Sequence, residues 1–136
     1  MALPDAIVAV VTRANAVLMI RRGATVPDPG VWAPISGKIE PRESQERAVV
    51  REVEEEVGLR VRPLRKVWEH ESQRGDYLLH WWLAAYVDGE LVLSPREVAE
   101  ARWVTASEVV RIEPLFTVDR AFFERVFPSL PQEDRR

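Results

Sequence analysis

The sequence predicts an α+β sandwich built on a mixed β-sheet, and three observations carry that expectation. Segments of strand character come first, then one strong helix, then further strands and a closing helical region, rather than a strict strand–helix alternation. The apolar runs near the start are short and rich in Val and Ile, as half-buried or buried strands are. Residues 44–57 instead repeat valine every four positions, at Val49, Val53 and Val57, which is the period of a helix with one buried face.

The elements follow in order. Residues 6–12 and 16–21 flank a short Arg-Ala-Asn turn and predict a β-hairpin. Residues 23–30 hold two prolines and two glycines and predict a loop. Residues 31–39 predict a short strand running through Gly37. The helix over 44–57 has Ser44 as its N-cap and stops at Gly58. Residues 60–71 and 77–87 read as two longer strands around a Gly75-Asp76 turn. Residues 101–104 form another strand, leading into Thr105-Ala-Ser-Glu108, which has capping-box spacing. Residues 117–127 carry Phe122, Phe123, Val126 and Phe127 in a helical pattern that should pack on the sheet, and 128–136 should fray.

Composition narrows the function classes. At 136 residues and 46% apolar content, a single domain over 1–136 can bury a core unaided. No apolar run reaches a membrane span and no signal-peptide pattern opens the chain, so a cytoplasmic protein without membrane partners is expected. The absence of cysteine excludes disulfides, thiolate metal sites and a cysteine nucleophile. A net charge of −3 gives no footprint for nucleic-acid binding. A polyanionic substrate would need local positive charge, for which a bound cation is one source.

On a helical wheel centred on Glu52, Glu56 lies about 40° to one side and Glu55 about 60° to the other. The valines gather on the buried face, while Glu54 falls about 200° round, with Arg47 and Arg51. Converging carboxylates repel one another unless neutralised, and a hard divalent cation does this well. Most acidic helix faces are nevertheless simply solvated, so the stripe alone decides little.

The wider spacing decides more. Gly37, Glu43, Arg51-Glu52-Val53, Glu55-Glu56 and Gly58-Leu59 resemble the signature of the Nudix hydrolases, a box spanning 37–59, at every fixed position. By average residue usage, a chance match has a probability on the order of one in ten million. The hairpin before the box and the strands and helix after it resemble that family's fold, an α/β/α sandwich, over nearly the whole chain.

The resemblance implies Mg²⁺-dependent (or Mn²⁺-dependent) hydrolysis of a nucleoside diphosphate linked to another moiety, such as a nucleoside triphosphate or a dinucleoside polyphosphate. It implies Glu52 and Glu56 as principal metal ligands, Glu55 as a direct or water-mediated third, and the Gly37 carbonyl completing the site. Glu43 would help hold a second metal, and Arg51 would orient Glu55 or Glu43. The catalytic base lies in some members within the box and in others on a later loop. Here Glu97 and Glu100 occupy that loop, and Glu97 is favoured over Glu100. A homodimer is expected only by analogy with family members.

Substrate clues diverge. The family's usual Trp-x-x-Pro-Gly-Gly becomes Trp32-Ala-Pro-Ile35-Ser36-Gly37, which resembles members that cleave dihydroneopterin triphosphate or dATP. The proline marking ADP-ribose-cleaving members is replaced by Arg74, and the NADH-type motif is missing. Tyr77 stands where dinucleoside-polyphosphate members carry a tyrosine. Arg22 would meet substrate phosphates, while Trp32, Ser36 and Tyr77 would line the substrate pocket. Trp81 and Trp82 must point to opposite sides of a strand, so at most one faces a ligand. His70 and His80 match no metal spacing. A non-catalytic nucleotide-binding domain is the competing reading, and the intact set of box glutamates argues against it.

Overall fold

The computed structural model describes residues 2–136. β1 (Asp5–Arg13) and β2 (Ala16–Arg22) form the expected hairpin, with Ala14 and Asn15 at positive φ in the turn. The sequence predicts one strand over 31–39, but the structure has two, β3 (Trp32–Ala33) and β4 (Ile35–Lys38). Pro34 between them lacks an N–H and cannot extend a ladder. The pieces accordingly pair with different partners, β3 with β2 and β4 with β1.

Helix α1 (Gln45–Val57) follows its sequence signals. The Ser44 side chain accepts the Arg47 N–H at 3.1 Å, and Gly58, at φ 72°, donates its N–H to Glu54 O. β5 (Arg60–Glu71) and β6 (Leu78–Asp88) run antiparallel, and β6 lies parallel to β1. That one parallel pairing makes the sheet mixed. The strand order is β3-β2-β1-β6-β5, with β4 also against β1 and β7 (Val98–Thr105) against β2. β7 exceeds the expected 101–104 because it pairs along β2 back to Arg22.

Alternation along β1 divides the interior into two cores. Ile7, Ala9 and Val11 meet Val49, Val53 and Val57 of α1 on one side. Val8 and Val10 meet Trp81, Phe122, Phe123 and Phe127 on the other. The second face is closed by α2 (Ala106–Val109), whose capping box joins Thr105 and Glu108, and by α3 (Thr117–Ala121). The helix predicted over 117–127 is α-helical only at its start and widens into a π-turn over Phe122–Val126. The segment expected to fray is held: Leu130 packs on the second core, and Asp134 lies 2.7 Å from Arg65. No helix among the described residues is long and apolar enough to cross a membrane.

Candidate active site

A cavity of about 580 Å³ opens where α1, β4, the loop after β2, the turn between β5 and β6, and α3 meet. Its wall includes Arg22, Ser36, Gly37, Glu52, Glu56, Tyr77 and Glu97. Residues separated by as many as 113 positions in the chain, Ala6 to Asp119, thus share one space.

The valine face of α1 fixes the helix rotation, and that rotation turns Glu52 and Glu56 inward toward β4. Glu56 is 5% exposed, and its Oε2 has no hydrogen-bond partner. Burial first, then the hydrogen bond and charge of Glu52, push the Glu56 carboxyl well above the ordinary carboxylate range. Burial raises Glu52 too, opposed by its hydrogen bond to Glu56 and by Arg51. Two facing acids in poor solvent resist double ionisation. Gly37 permits their placement, since a Cβ on it would lie 2.1 Å from Glu52 Cδ. The glycine is required by close approach alone.

Arg51 organises the outer edge of this pair. Its guanidinium contacts Glu43 at 2.7 and 2.8 Å, Glu52 at 2.8 Å, Glu55 at 3.2 Å, and the Lys38 carbonyl at 3.0 Å. Arg51 therefore reaches round from the side on which the wheel puts it, and its hydrogen bond pulls the Glu43 carboxyl below its usual range. The wheel groups Glu55 with Glu52 and Glu56, but the structure separates them. The Glu55 side chain is 57% exposed, is ion-paired to Arg51, and shares with Glu43 a shallow surface on the outer side of α1. Sixty degrees on a wheel is enough to turn a side chain from cavity to solvent when an arginine attracts it.

Glu97 and Glu100 are also distinguished. Glu97 lines the cavity, close enough for its charge to act on Glu56. Glu100 does not line it and is paired with Arg102 at 2.9 Å and Arg21 at 3.5 Å. Arg22 lies in the wall, its Nε bound to Pro27 O at 2.6 Å. Tyr77 is in the wall beside Lys38, whose Nζ is 5.7 Å from the ring centre.

Trp32 lies elsewhere. It packs in the second core under the Arg102 guanidinium, 4.9 Å from the ring centre, and does not line the cavity. Trp81 and Trp82 do point to opposite faces, and neither reaches the cavity. His80 lies between Asp5 and Glu69, while His70 stacks near Trp68.

The sequence reading missed Asp119. It is 6% exposed, lines the cavity, and has its carboxyl pushed up to about 7 by burial, with Arg22 opposing. A signal was present: the aromatic period that buries Phe122 and Phe123 also puts position 119 on the buried face, where an acid is unusual.

Among the described residues no group of three His, Asp or Glu side chains is arranged as a ready-made metal cage. The donor set nevertheless fits a hard cation. An unpartnered buried carboxylate oxygen, a second acid against it, and a glycine-lined approach are what such an ion would satisfy.

Fold and site together define a Nudix-type domain, and comparison with known proteins agrees. The family model described as NUDIX domain matches residues 2–126, and the chain belongs to that family. Among its relatives, the NAD-capped RNA hydrolase NudC of Deinococcus radiodurans is 34% identical over 113 residues, covering 83% of this chain and 40% of that protein. The NudC of Stutzerimonas stutzeri is 35% identical over 101 residues, covering 74% and 36%. The chain thus spans well under half the length of these relatives. The MutT protein from Methanosarcina mazei superposes with a TM-score of 0.78 at 26% identity, covering 91% of this chain and 92% of that one. A MutT NUDIX hydrolase from Burkholderia pseudomallei gives 0.74 at 27%, covering 93% and 99%.

Proposed function

We propose that this chain is a divalent-cation-dependent pyrophosphohydrolase that cleaves a phosphoanhydride bond in a nucleoside triphosphate or a related nucleoside diphosphate derivative. The observation that carries the reading is the pair of half-buried Glu52 and buried Glu56, with an unpartnered oxygen, in one cavity with Arg22 and Glu97. Family membership supports the reaction class.

Glu52, Glu56 and the Gly37 carbonyl are the groups that would hold Mg²⁺ or Mn²⁺, and Glu43 and Glu55 would join them only by releasing Arg51. A bound cation of this kind neutralises phosphate charge and makes a nearby water more acidic. Arg22 offers the phosphates a fixed positive charge at the cavity wall. Glu97 takes the proton of the attacking water as its oxygen bonds to phosphorus. The anhydride P–O bond breaks and its electron pair leaves with the departing phosphate. On the α3 side, Phe116 offers a stacking face and Asp119 a carboxyl for a base edge.

Two finer substrates each have an observation in their favour. Ser36 in the wall supports a dihydroneopterin triphosphate or dATP type of substrate, and Tyr77 in the wall supports a dinucleoside polyphosphate. A panel of nucleoside triphosphates, oxidised nucleoside triphosphates, dinucleoside polyphosphates, ADP-ribose, dihydroneopterin triphosphate and NAD-capped RNA tests the reading. Mg²⁺-dependent turnover of at least one member is expected. A protein inactive on all of them would contradict it.

A further inference from the structure

The peptide that carries Glu97 is gripped from both sides by hydrogen bonds from distant parts of the chain. Behind it, the Ser94 N–H donates to Glu56 O at 2.9 Å, tying the turn to the end of α1. Within the turn, the Glu97 and Val98 N–H groups both return to Ser94 O, at 3.3 and 3.0 Å. In front, the Gly23 N–H donates to Glu97 O at 2.9 Å, and the Thr25 hydroxyl donates to Arg96 O at 2.7 Å. The approach is so close that a Cβ on Gly23 would lie 2.5 Å from Arg96 O and 3.0 Å from the Glu97 carbonyl carbon.

Both carbonyls flanking the Glu97 Cα–N linkage therefore accept hydrogen bonds from a loop more than 70 residues earlier in the chain. Thr25 itself does not line the cavity, although Arg22, Val26, Pro27 and Asp28 on either side of it do. The Thr25 side chain skips the cavity and holds the Arg96–Glu97 peptide instead, so it reaches the chemistry through the backbone it ties rather than by touching substrate.

From this geometry we infer that Thr25 is a positioning residue for Glu97: its hydroxyl, with the close approach allowed by Gly23, fixes the Arg96–Glu97 peptide so that the Glu97 carboxylate meets the attacking water. The inference rests on the hydrolytic reading and on Glu97 as proton acceptor. Thr25→Val keeps the shape and the β-branch and removes only the donor, while Thr25→Ser keeps the donor. One neutral hydrogen bond sets an effect of roughly fivefold.

The test is steady-state kinetics with Mg²⁺ on the best substrate of the panel, for wild type, Thr25→Val, Thr25→Ser, Glu97→Gln and the Thr25→Val/Glu97→Gln pair. Thr25→Val is expected to lower kcat roughly fivefold with KM unchanged, Thr25→Ser to restore it, and the pair to match Glu97→Gln alone, because residues acting through one group are not additive. A wild-type kcat in Thr25→Val, a change confined to KM, or an undiminished loss on the Glu97→Gln background each overturns the clamp. Full activity in Glu97→Gln removes the role of Glu97 and the clamp with it, while wild-type turnover keeps the hydrolytic reading. Only a wild type inactive on the whole panel defeats that reading as well.

Discussion

A carboxyl withdrawn from water holds its proton until something else neutralises it, and this cavity contains three such acids. Burial raises Glu52, Glu56 and Asp119 alike. For Asp119 the folded value near 7 exceeds the unfolded 3.8, so the folded state binds the proton more tightly. Its stabilising contribution is complete below pH 3.8 and is lost as pH rises through about 7. Asp119→Asn removes that loss. Thermal unfolding should find the variant more stable than wild type at pH 8, by at most about 4 kcal/mol, with the gain shrinking toward acid pH. Glu52 and Glu56 obey the same sign, so wild type without metal should also lose stability on alkalinisation. Added Mg²⁺ should raise Tm more at pH 8 than at pH 5, since the cation binds the deprotonated pair. At this scale the sequence revealed Glu52 and Glu56, because their partners are close in the chain. For Glu55 a wheel gives the angle of the side chain but not the arginine that draws it outward. The sequence reading grouped Trp32 with the pocket, and burial in the opposite core decided otherwise.

Helix α1 and β4 behave as one unit, because the valine face sets the rotation of the helix and Gly37 lets the strand approach it. Gly37→Ala forces a Cβ into the Glu52 carboxyl, displacing it by an ångström or more. A displacement of that size costs roughly a hundredfold in rate; kcat should fall that far while the circular dichroism spectrum stays unchanged. Val53→Ala instead opens a cavity beneath the helix and should cost about 2 kcal/mol in denaturant unfolding. Elements with local punctuation were legible: Ser44 and Gly58 bound α1, and the capping box at Thr105 opens α2. The extent of β7 was not, because its length is set by pairing with β2, about 80 residues earlier. Pro34 stands inside the strand predicted over 31–39, and the exchange of partners across it depends on where β1 and β2 lie.

Across the whole molecule, the sheet separates two cores, and the cavity forms at the margin where both layers contribute. α1 supplies Glu52 and Glu56, the turn before β7 supplies Glu97, and α3 supplies Asp119. The acidic half was readable because one helix carries it in a motif of fixed spacing. The α3 half was not, since nothing near residue 119 in the chain shows that it reaches residue 22. In the proposed function the Glu52–Glu56 pair is a cation site that drives phosphoanhydride hydrolysis. The most direct measurement is turnover of the best panel substrate by wild type and Glu56→Gln, each titrated with Mg²⁺ from a chelated start. No turnover is expected without the metal, with saturable activation in wild type and a loss in Glu56→Gln of about a hundredfold or more. Activity that persists in chelator, or a Glu56→Gln protein that turns over like wild type, would contradict that function.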